Sequence, residues 1–476
     1  MKKFLMGLSL CIAVAAINVM APVTSYAYNV VDSASIKSSE SAAIIVGDEV
    51  NYTASFANAP SSDDGKVYLF ELKTYEYGLP DGASPITSTT ASSSVNLSFP
   101  LNYTGGYGRL YNKFVLAVKR NGNWTLINNA QYITNPEAVA TTFKMRAPRE
   151  RKVLQQDNVA NISLTGSGIA EPIGAQHAVF TNTSPSVVTA DPNQSGDTHP
   201  VTANPVVAYM LNADTDEGIE GLIRDMQAYA GGYSNLQDFV IGNEVNERCW
   251  NYMAYCDWDT YVRKYVQAFR VCYTAIKSTN PNACVYTSLD QVWNKNVSNY
   301  EYLDGDEFLA KFNKMIKENG DIDWNMSIHP YPNPLYYAKF WDLSNLANAE
   351  TFKSQVEKNQ VITFQNLSAF TDVLASPAYL NRHGNVRDII IGEIGLGSNA
   401  GVDNQAAAIC ASWAAFERNP YITQYMYLEV DVNGFFPTMH GRALECYNAM
   451  GTPDEQRYMD WAMDHIGITD WSQVLR

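Results

Sequence analysis

The sequence predicts an α/β fold in which a (β/α)8 TIM barrel, shortened in its N-terminal part, follows a β-sandwich domain. Three observations carry this expectation. The 476 residues exceed what one hydrophobic core usually organises. Near residue 150 short alternating runs give way to strand-like runs interleaved with helix-length segments. In that second part several apolar runs end abruptly in polar residues, where a barrel would open to solvent. The expected divisions are a signal peptide over residues 1–27, the sandwich over 28–150 and the barrel over 151–476.

Residues 1–27 combine Lys2 and Lys3, an apolar run from Phe4 and a small-x-small end at Ser25, Tyr26 and Ala27, the pattern of a cleaved export signal. A retained anchor is the competing reading, but the run is short and Asn18 interrupts it. No later segment is apolar and long enough to span a bilayer, so a secreted or surface-released protein is expected.

From residue 28 onward the runs IIVGDEVNYTASF, GKVYLFELKTY, VNLSFPLNY and NKFVLAVKRNGNWTLI alternate apolar and polar residues. Turn signals at Pro80-Asp81-Gly82 and Asn121-Gly122 separate them, as in an antiparallel sandwich. This part is either a carbohydrate-binding module or a packing partner, and it shows no obvious aromatic strip. The charged stretch at residues 146–152 reads as the linker.

Beyond the linker, residues 158–164 (NVANISL) and 205–211 (PVVAYML) read as strands and 217–229 as a helix. After DFVIGNEVN, residues 257–278 place Tyr261, Tyr265, Phe269, Cys272, Tyr273 and Ile276 on one helical face. Strand-like ACVYTSL, DWNMSIHPY, DIIIGEIG and ITQYMYLEV follow, alternating with helix-like segments at 306–319, 364–380 and 404–418. Such alternation means a parallel sheet, and its length favours a closed barrel over an open doubly wound sheet, whose Gly-rich phosphate loop is not found.

Composition narrows the partners. Without the leader the chain has 31 basic and 49 acidic residues, a net charge of −18 that repels phosphate backbones and argues against nucleic acid. The 30 Tyr and 9 Trp suit sugar faces, although ordinary core packing must use most of them. Six cysteines follow the leader, and in an exported chain an even number favours disulfides, with 249–256, 272–284 and 410–446 as the neighbour pairings. The six scattered histidines form no HxH or HExxH, so neither metal nor cofactor is expected. Nothing in the sequence fixes the oligomeric state.

Three strand ends carry the candidate chemistry: Asn243-Glu244, His329-Pro330-Tyr331 and Glu393. Two carboxylates across a barrel mouth are what glycosidic cleavage needs, one to protonate the leaving oxygen and one to attack the sugar or activate water. Either Glu alone is more often a solvated loop residue or helix cap. Their strand interval and the intervening His-Pro-Tyr single them out together.

Asn243-Glu244 after one strand and Glu393 on a strand three units later resemble clan A of the glycoside hydrolases, retaining (β/α)8 enzymes with an acid/base Glu on strand four and a nucleophile Glu on strand seven. The chain is also similar, over roughly its whole mature length, to a group of secreted bacterial glycosidase-like proteins. IGNEVN, WNYM, AIKSTNPNACVYTSLDQVW, IDWNMSIHPYPNPL, IIIGEIGLGS, YLFEL and YITNPEA carry that similarity. The resemblance implies Glu244 as acid/base, Glu393 as nucleophile, Asn243 on the hydroxyl beside the reacting carbon, and Tyr331 or His329 on Glu393. It implies a secreted retaining hydrolase of a poly- or oligosaccharide; the alternative is a non-catalytic carbohydrate-binding or surface protein on a degenerate barrel.

Asp290, ending TSLD, is read equally as a substrate contact or an ordinary strand-end residue, and Trp250, Trp293 and Trp341 as sugar subsites or loop anchors. Glu247 falls beyond the strand and is assigned to the loop. Two departures from the clan stand out. Between Lys152 and Asp238 only about 85 residues remain for three units that a barrel of ordinary size gives nearer 100, so no strand-two arginine can be assigned. QYMYLEVDV lacks the clan's strand-eight Trp, leaving Tyr427, Glu429 or Asp431.

Overall fold

Alternating apolar residues build the first part of the protein as two antiparallel sheets. In the computed structural model, which describes residues 41–140, 152–156, 161–163, 177–181, 211–232, 238–247, 257–298, 302–429 and 438–476, β1 (Ala42–Val46), β2 (Glu49–Ser55) and β5 (Ser94–Pro100) form one sheet. The other contains β3 (Lys66–Leu72), β4 (Thr87–Thr90), β6 (Lys113–Arg120) and β7 (Asn123–Leu126), with β8 (Gln131–Tyr132) paired to β6. The β6–β7 hairpin turns at Asn121 and Gly122, both with positive φ, the conformation its right-handed strand twist requires. Val50, Tyr52 and Phe99 of one sheet and Val67, Leu69 and Phe114 of the other are buried in a single cluster. The leader, linker residues 146–151, Cys249, Trp250, Cys256 and Asp431 lie outside the described residues.

Among the described residues the second part contains eight parallel strands: β9 (Lys152–Gln156), β10 (Asn161–Ser163), β11 (His177–Thr181), β12 (Asp238–Ile241), β13 (Cys284–Leu289), β14 (Asn325–Ile328), β15 (Ile389–Ile394) and β16 (Ile422–Glu429). They are ordered β10 to β16 and then β9, so the last strand lies beside the first. Among the described residues three strands thus precede β12, where the sequence reading recognised two. β9 was hidden because KVLQQ abuts the charged linker, and β11 because HAVFT is a five-residue run beside a polar stretch. The expected strand at 205–211 falls almost wholly outside the described residues.

Helices fill the intervals. They are α1 (Asp216–Gly232), α2 (Trp258–Thr279), α3 (Gly305–Glu318), α4 (Ala349–Glu357), α5 (Leu367–Leu374), α6 (Val402–Arg418), α7 (Arg442–Ala449) and α8 (Glu455–Ile466). α2 starts where the Asp257 side chain accepts from the Thr260 amide, an N-cap. The helix expected over 364–380 is shorter, since Asn366 binds its own turn and Pro377 closes the segment beyond α5. No helix among the described residues is long and apolar enough to cross a membrane.

Strand alternation sorts the core. Phe239, Ile241, Val285, Leu289, Met326, Ile328, Ile389 and Ile391 join the main cluster with the helices. Val240, Tyr286, Ile390 and Met426 form a separate buried cluster among the strands. This explains why the expected 272–284 disulfide is not made. Cys272 lies in the main cluster on α2, whereas Cys284 packs on the strand-enclosed cluster, across β13 from it. Cys272, Cys284, Cys410 and Cys446 all stand as thiols; Cys410 and Cys446 contact one another, and this contact with burial raises the Cys410 thiol well above its ordinary pKa.

A seam of cations and rings joins the two parts. Arg270 of α2 is buried, lies over the Tyr132 ring of β8 at 4.7 Å and donates to the carbonyls of Ile316 (2.5 Å) and Gly320 (2.6 Å). Arg263 lies over Tyr77 at 4.2 Å, and Gln267 donates to the Thr74 carbonyl at 2.7 Å. Lys113 of β6 donates to the same carbonyl at 2.9 Å and sits over Tyr77 at 4.7 Å. Arg382 reaches back to the Thr134 carbonyl at 2.8 Å.

Burial pushes Lys113 down to about 7, so its folded-state contribution is complete above the ordinary lysine value of 10.5 and is lost as pH falls toward 7. Relative to Lys113→Met, the wild type is therefore expected to lose stability between pH 10 and pH 7, measured by chemical denaturation of both proteins at each pH.

Candidate functional site

Among the described residues β12 is the fourth, β14 the sixth and β15 the seventh parallel strand. Their C-terminal ends bring Glu244, His329, Tyr331 and Glu393 together. Gly242 (φ 81°) and Glu244 (φ 44°) both occupy the left-handed region, so the chain turns sharply as soon as β12 ends. That conformation is natural for glycine but costs a glutamate of order 1–3 kcal/mol. The turn is held by the Glu247 amide donating to the Glu244 carbonyl at 2.7 Å and the Val245 amide to Ser288 at 2.9 Å.

Glu393 reaches the site through an irregularity. Along β15 the alternation sends Ile389 and Ile391 outward and Ile390 inward, which would leave residue 393 on the helix side. The register with β16 shifts between Ile391 and Ile394, across Gly392 and Glu393, and such a shift re-aims side chains. Gly392 allows this, because a Cβ there would come within 2.0 Å of Ser327 Oγ and 3.4 Å of His329 Nε2.

His329 is the centre. Its Nδ1 is 2.9 Å from Glu244 Oε1 and 3.8 Å from Glu393 Oε2, and its Nε2 is 3.2 Å from Ser288 Oγ. The imidazole is 1% exposed and each glutamate side chain 14%, so the carboxylates face an opening while the ring lies beneath them. Burial lowers the His329 pKa, and Glu393 pulls weakly the other way, which favours a neutral ring near pH 7. The Tyr331 hydroxyl donates to Glu393 Oε1, and burial followed by that carboxylate raises the phenol well above its ordinary value. The Tyr331 ring packs edge-on against Tyr336 at 5.1 Å.

Asp290 ends β13 in a buried position, where its Oδ1 accepts from Asn246 Nδ2 (2.7 Å) and the Val292 amide (2.9 Å). Asn243 is buried beside Glu244. Trp293 is buried with its ring edge-to-face on Phe370 at 5.2 Å, so the structure brings it into the core and not to the carboxylates. Trp341 meets Phe340 and His465, and the Tyr427 hydroxyl donates to the Leu396 carbonyl at 3.1 Å. Glu247 forms a backbone bridge with Tyr302. Sequence reading missed Ser288, Asn246 and Gly392. Ser288 is two residues before Asp290, on the same strand face, and that spacing was the available signal.

The family described as "Family of unknown function (DUF5722)" matches residues 181–474, more than half of the chain, and the chain belongs to it. No curated protein matches the sequence. Among solved structures it is similar to a family 39 glycoside hydrolase from Bacteroides cellulosilyticus, with 14% identity, 79% of this chain and 72% of that chain covered, and a TM-score of 0.35. It is also similar to the β-D-glucuronidase of Dictyoglomus thermophilum (10% identity, 90% and 68% covered, TM-score 0.33) and the β-glucuronidase of Ruminococcus gnavus (8%, 89% and 68%, 0.32). At such TM-scores these likenesses say nothing of this chain's chemistry.

Gly392→Ala is expected to cost about 1–3 kcal/mol through overpacking against Ser327, and adding Ser327→Ala to recover most of it, read from thermal melts as a double-mutant cycle. For His329, whose folded pKa is lowered, stability is complete above the unfolded value of 6.5 and lost as pH falls below it. The wild type is therefore expected to lose stability relative to His329→Gln on acidification from pH 7 to pH 5, measured by denaturant titration.

Proposed function

We propose that this family member is a secreted retaining glycoside hydrolase of a poly- or oligosaccharide, with Glu244 as acid/base and Glu393 as nucleophile at the mouth of a (β/α)8 barrel. One observation carries the reading: both carboxylates converge on His329 Nδ1. Oxygens 2.9 and 3.8 Å from the same nitrogen lie no farther apart than the sum of those distances, 6.7 Å. Retaining pairs stand about 5–5.5 Å apart and inverting pairs about 6.5–9.5 Å, so for these two oxygens the bound takes in the retaining spacing and excludes all but the narrow end of the inverting range. The strand order, with the last strand beside the first, supports the barrel, and the two packed antiparallel sheets before it support a β-sandwich. Export rests on residues 1–27.

In the first step protonated Glu244 gives its proton to the glycosidic oxygen while the Glu393 carboxylate attacks the anomeric carbon. The bond to the leaving sugar breaks and an ester to Glu393 forms. In the second step Glu244, now a carboxylate, takes a proton from water, whose oxygen attacks the same carbon and releases Glu393. Two carboxylates this close favour one proton between them, as the cycle requires. Tyr331 donates to Glu393 and so favours its ionised form, and a neutral His329 adds no charge that would deprotonate Glu244. Asn243, beside Glu244, would bind the hydroxyl next to the reacting carbon.

Incubating residues 28–476 with a panel of plant, microbial and host glycans is expected to release sugars. Glu393→Gln is expected to reduce turnover by roughly a thousandfold or more while keeping the wild-type melting profile. Equal turnover in both proteins would overturn the assignment, and retention of one glycan without cleavage would favour a carbohydrate-binding protein.

A further inference from the structure

Beyond the two carboxylates, the structure assigns Asn246 and Asp290 as a positioning pair that aims the Glu244 side chain; this rests on Glu244 being the acid/base. Asn246 lies two residues past Glu244 and is completely buried. Its Oδ1 accepts from the Asp290 amide at 3.1 Å while its Nδ2 donates to Asp290 Oδ1 at 2.7 Å, a reciprocal pair. The same Nδ2 lies 3.2 Å from the Leu303 carbonyl, and the Leu303 amide donates to the Asn246 carbonyl at 3.0 Å.

One amide side chain therefore fastens the turn after β12 to the end of β13 and to the segment entering α3. The fastening is needed because Glu244 has a positive φ. A residue in that region persists only where its surroundings hold it. Of the neighbouring backbone bonds, Glu247 to Glu244 closes the turn on itself and Val245 to Ser288 ties it to β13 at one point. The Asn246–Asp290 pair fixes its angle to β13, and β13 also carries Ser288, which touches His329. Glu244 and its partner His329 are thus both referred to one strand.

Asp290 suits the task. Burial, and then the Glu244 and Glu247 carboxylates, raise its pKa well above the ordinary range, so it stands beside the acid/base without a competing charge. Its Oδ1 also takes the Val292 amide at 2.9 Å. An Asn at 290 can keep both acceptor contacts, whereas an Ala cannot.

The test compares Asn246→Ala, Asp290→Ala and Asp290→Asn with the full mature chain. The probes are the 2,4-dinitrophenyl and methyl glycosides of the sugar released in the glycan panel. A dinitrophenolate leaves without protonation and a methoxide does not. If the pair aims Glu244, kcat/KM for the methyl glycoside falls about a hundredfold in both Ala variants, as expected for a misplaced catalytic group, while formation of the glycosyl-enzyme from the dinitrophenyl glycoside changes less than about threefold. Asp290→Asn recovers most of what Asp290→Ala loses. Equal losses on both probes overturn the proposal, because a merely structural role lowers both together.

A crystal structure of Asn246→Ala decides the same point without activity. Glu244 leaving the left-handed region and parting from His329 supports the pair; an unchanged Glu244 overturns it, even if the wild type cleaves no glycoside and the hydrolase reading itself fails. Should Asn246→Ala not fold, Asp290→Ala, which keeps the Leu303 contacts, is read in the same way.

Discussion

Two carboxylates can share a site this small when the group between them carries no charge of its own, and the buried imidazole of His329 meets that condition. Placed 2.9 Å from one glutamate and 3.8 Å from the other, it sets their spacing as a rigid spacer would. A lysine or arginine there would lock both acids in the ionised form. The strands that deliver these side chains must therefore end at the same height, and the parallel registers of β12 to β15 accomplish that.

Beneath the imidazole the interior is layered. At the base, the single Tyr286 hydroxyl proton is shared between Asp388 (2.8 Å) and Asp238 (3.1 Å), and Gln424 donates to Asp238 at 3.1 Å. Above lie Val240, Tyr286, Ile390 and Met426, and then the small residues Ser288, Ser327 and Gly392. Small side chains at that level leave room for a histidine ring, which larger ones would displace. The apolar layer separates the polar base from the carboxylates, so the charges at the mouth act on one another with little competition from below.

Much of this was readable in the sequence where a single physical requirement governs a long segment. α2, α3 and α6 follow from their apolar periodicity, and the three polar strand ends were conspicuous because buried strands otherwise avoid such residues. What escaped depends on contacts between distant segments. β9 and β11 are too short to declare a period, and their place comes from neighbouring strands. The shift in β15 is a property of a pair of strands, so Gly392 looked like any strand glycine. Asn246 looked like a loop residue because its partners lie 44 and 57 positions away. The 272–284 pairing failed for the same reason, since proximity along the chain does not tell which face of β13 a side chain takes.

The seam between the two parts has a consequence for what a domain boundary means here. The topology divides cleanly after the antiparallel sheets, yet Arg270 belongs to one part and the ring that covers it to the other. Cutting the chain at the linker would uncover the buried Arg270 guanidinium, together with the aromatic faces of Tyr77 and Tyr132. The β part is thus less an appended module than the outer wall of its neighbour's core, and heat would be expected to melt the two in a single cooperative transition.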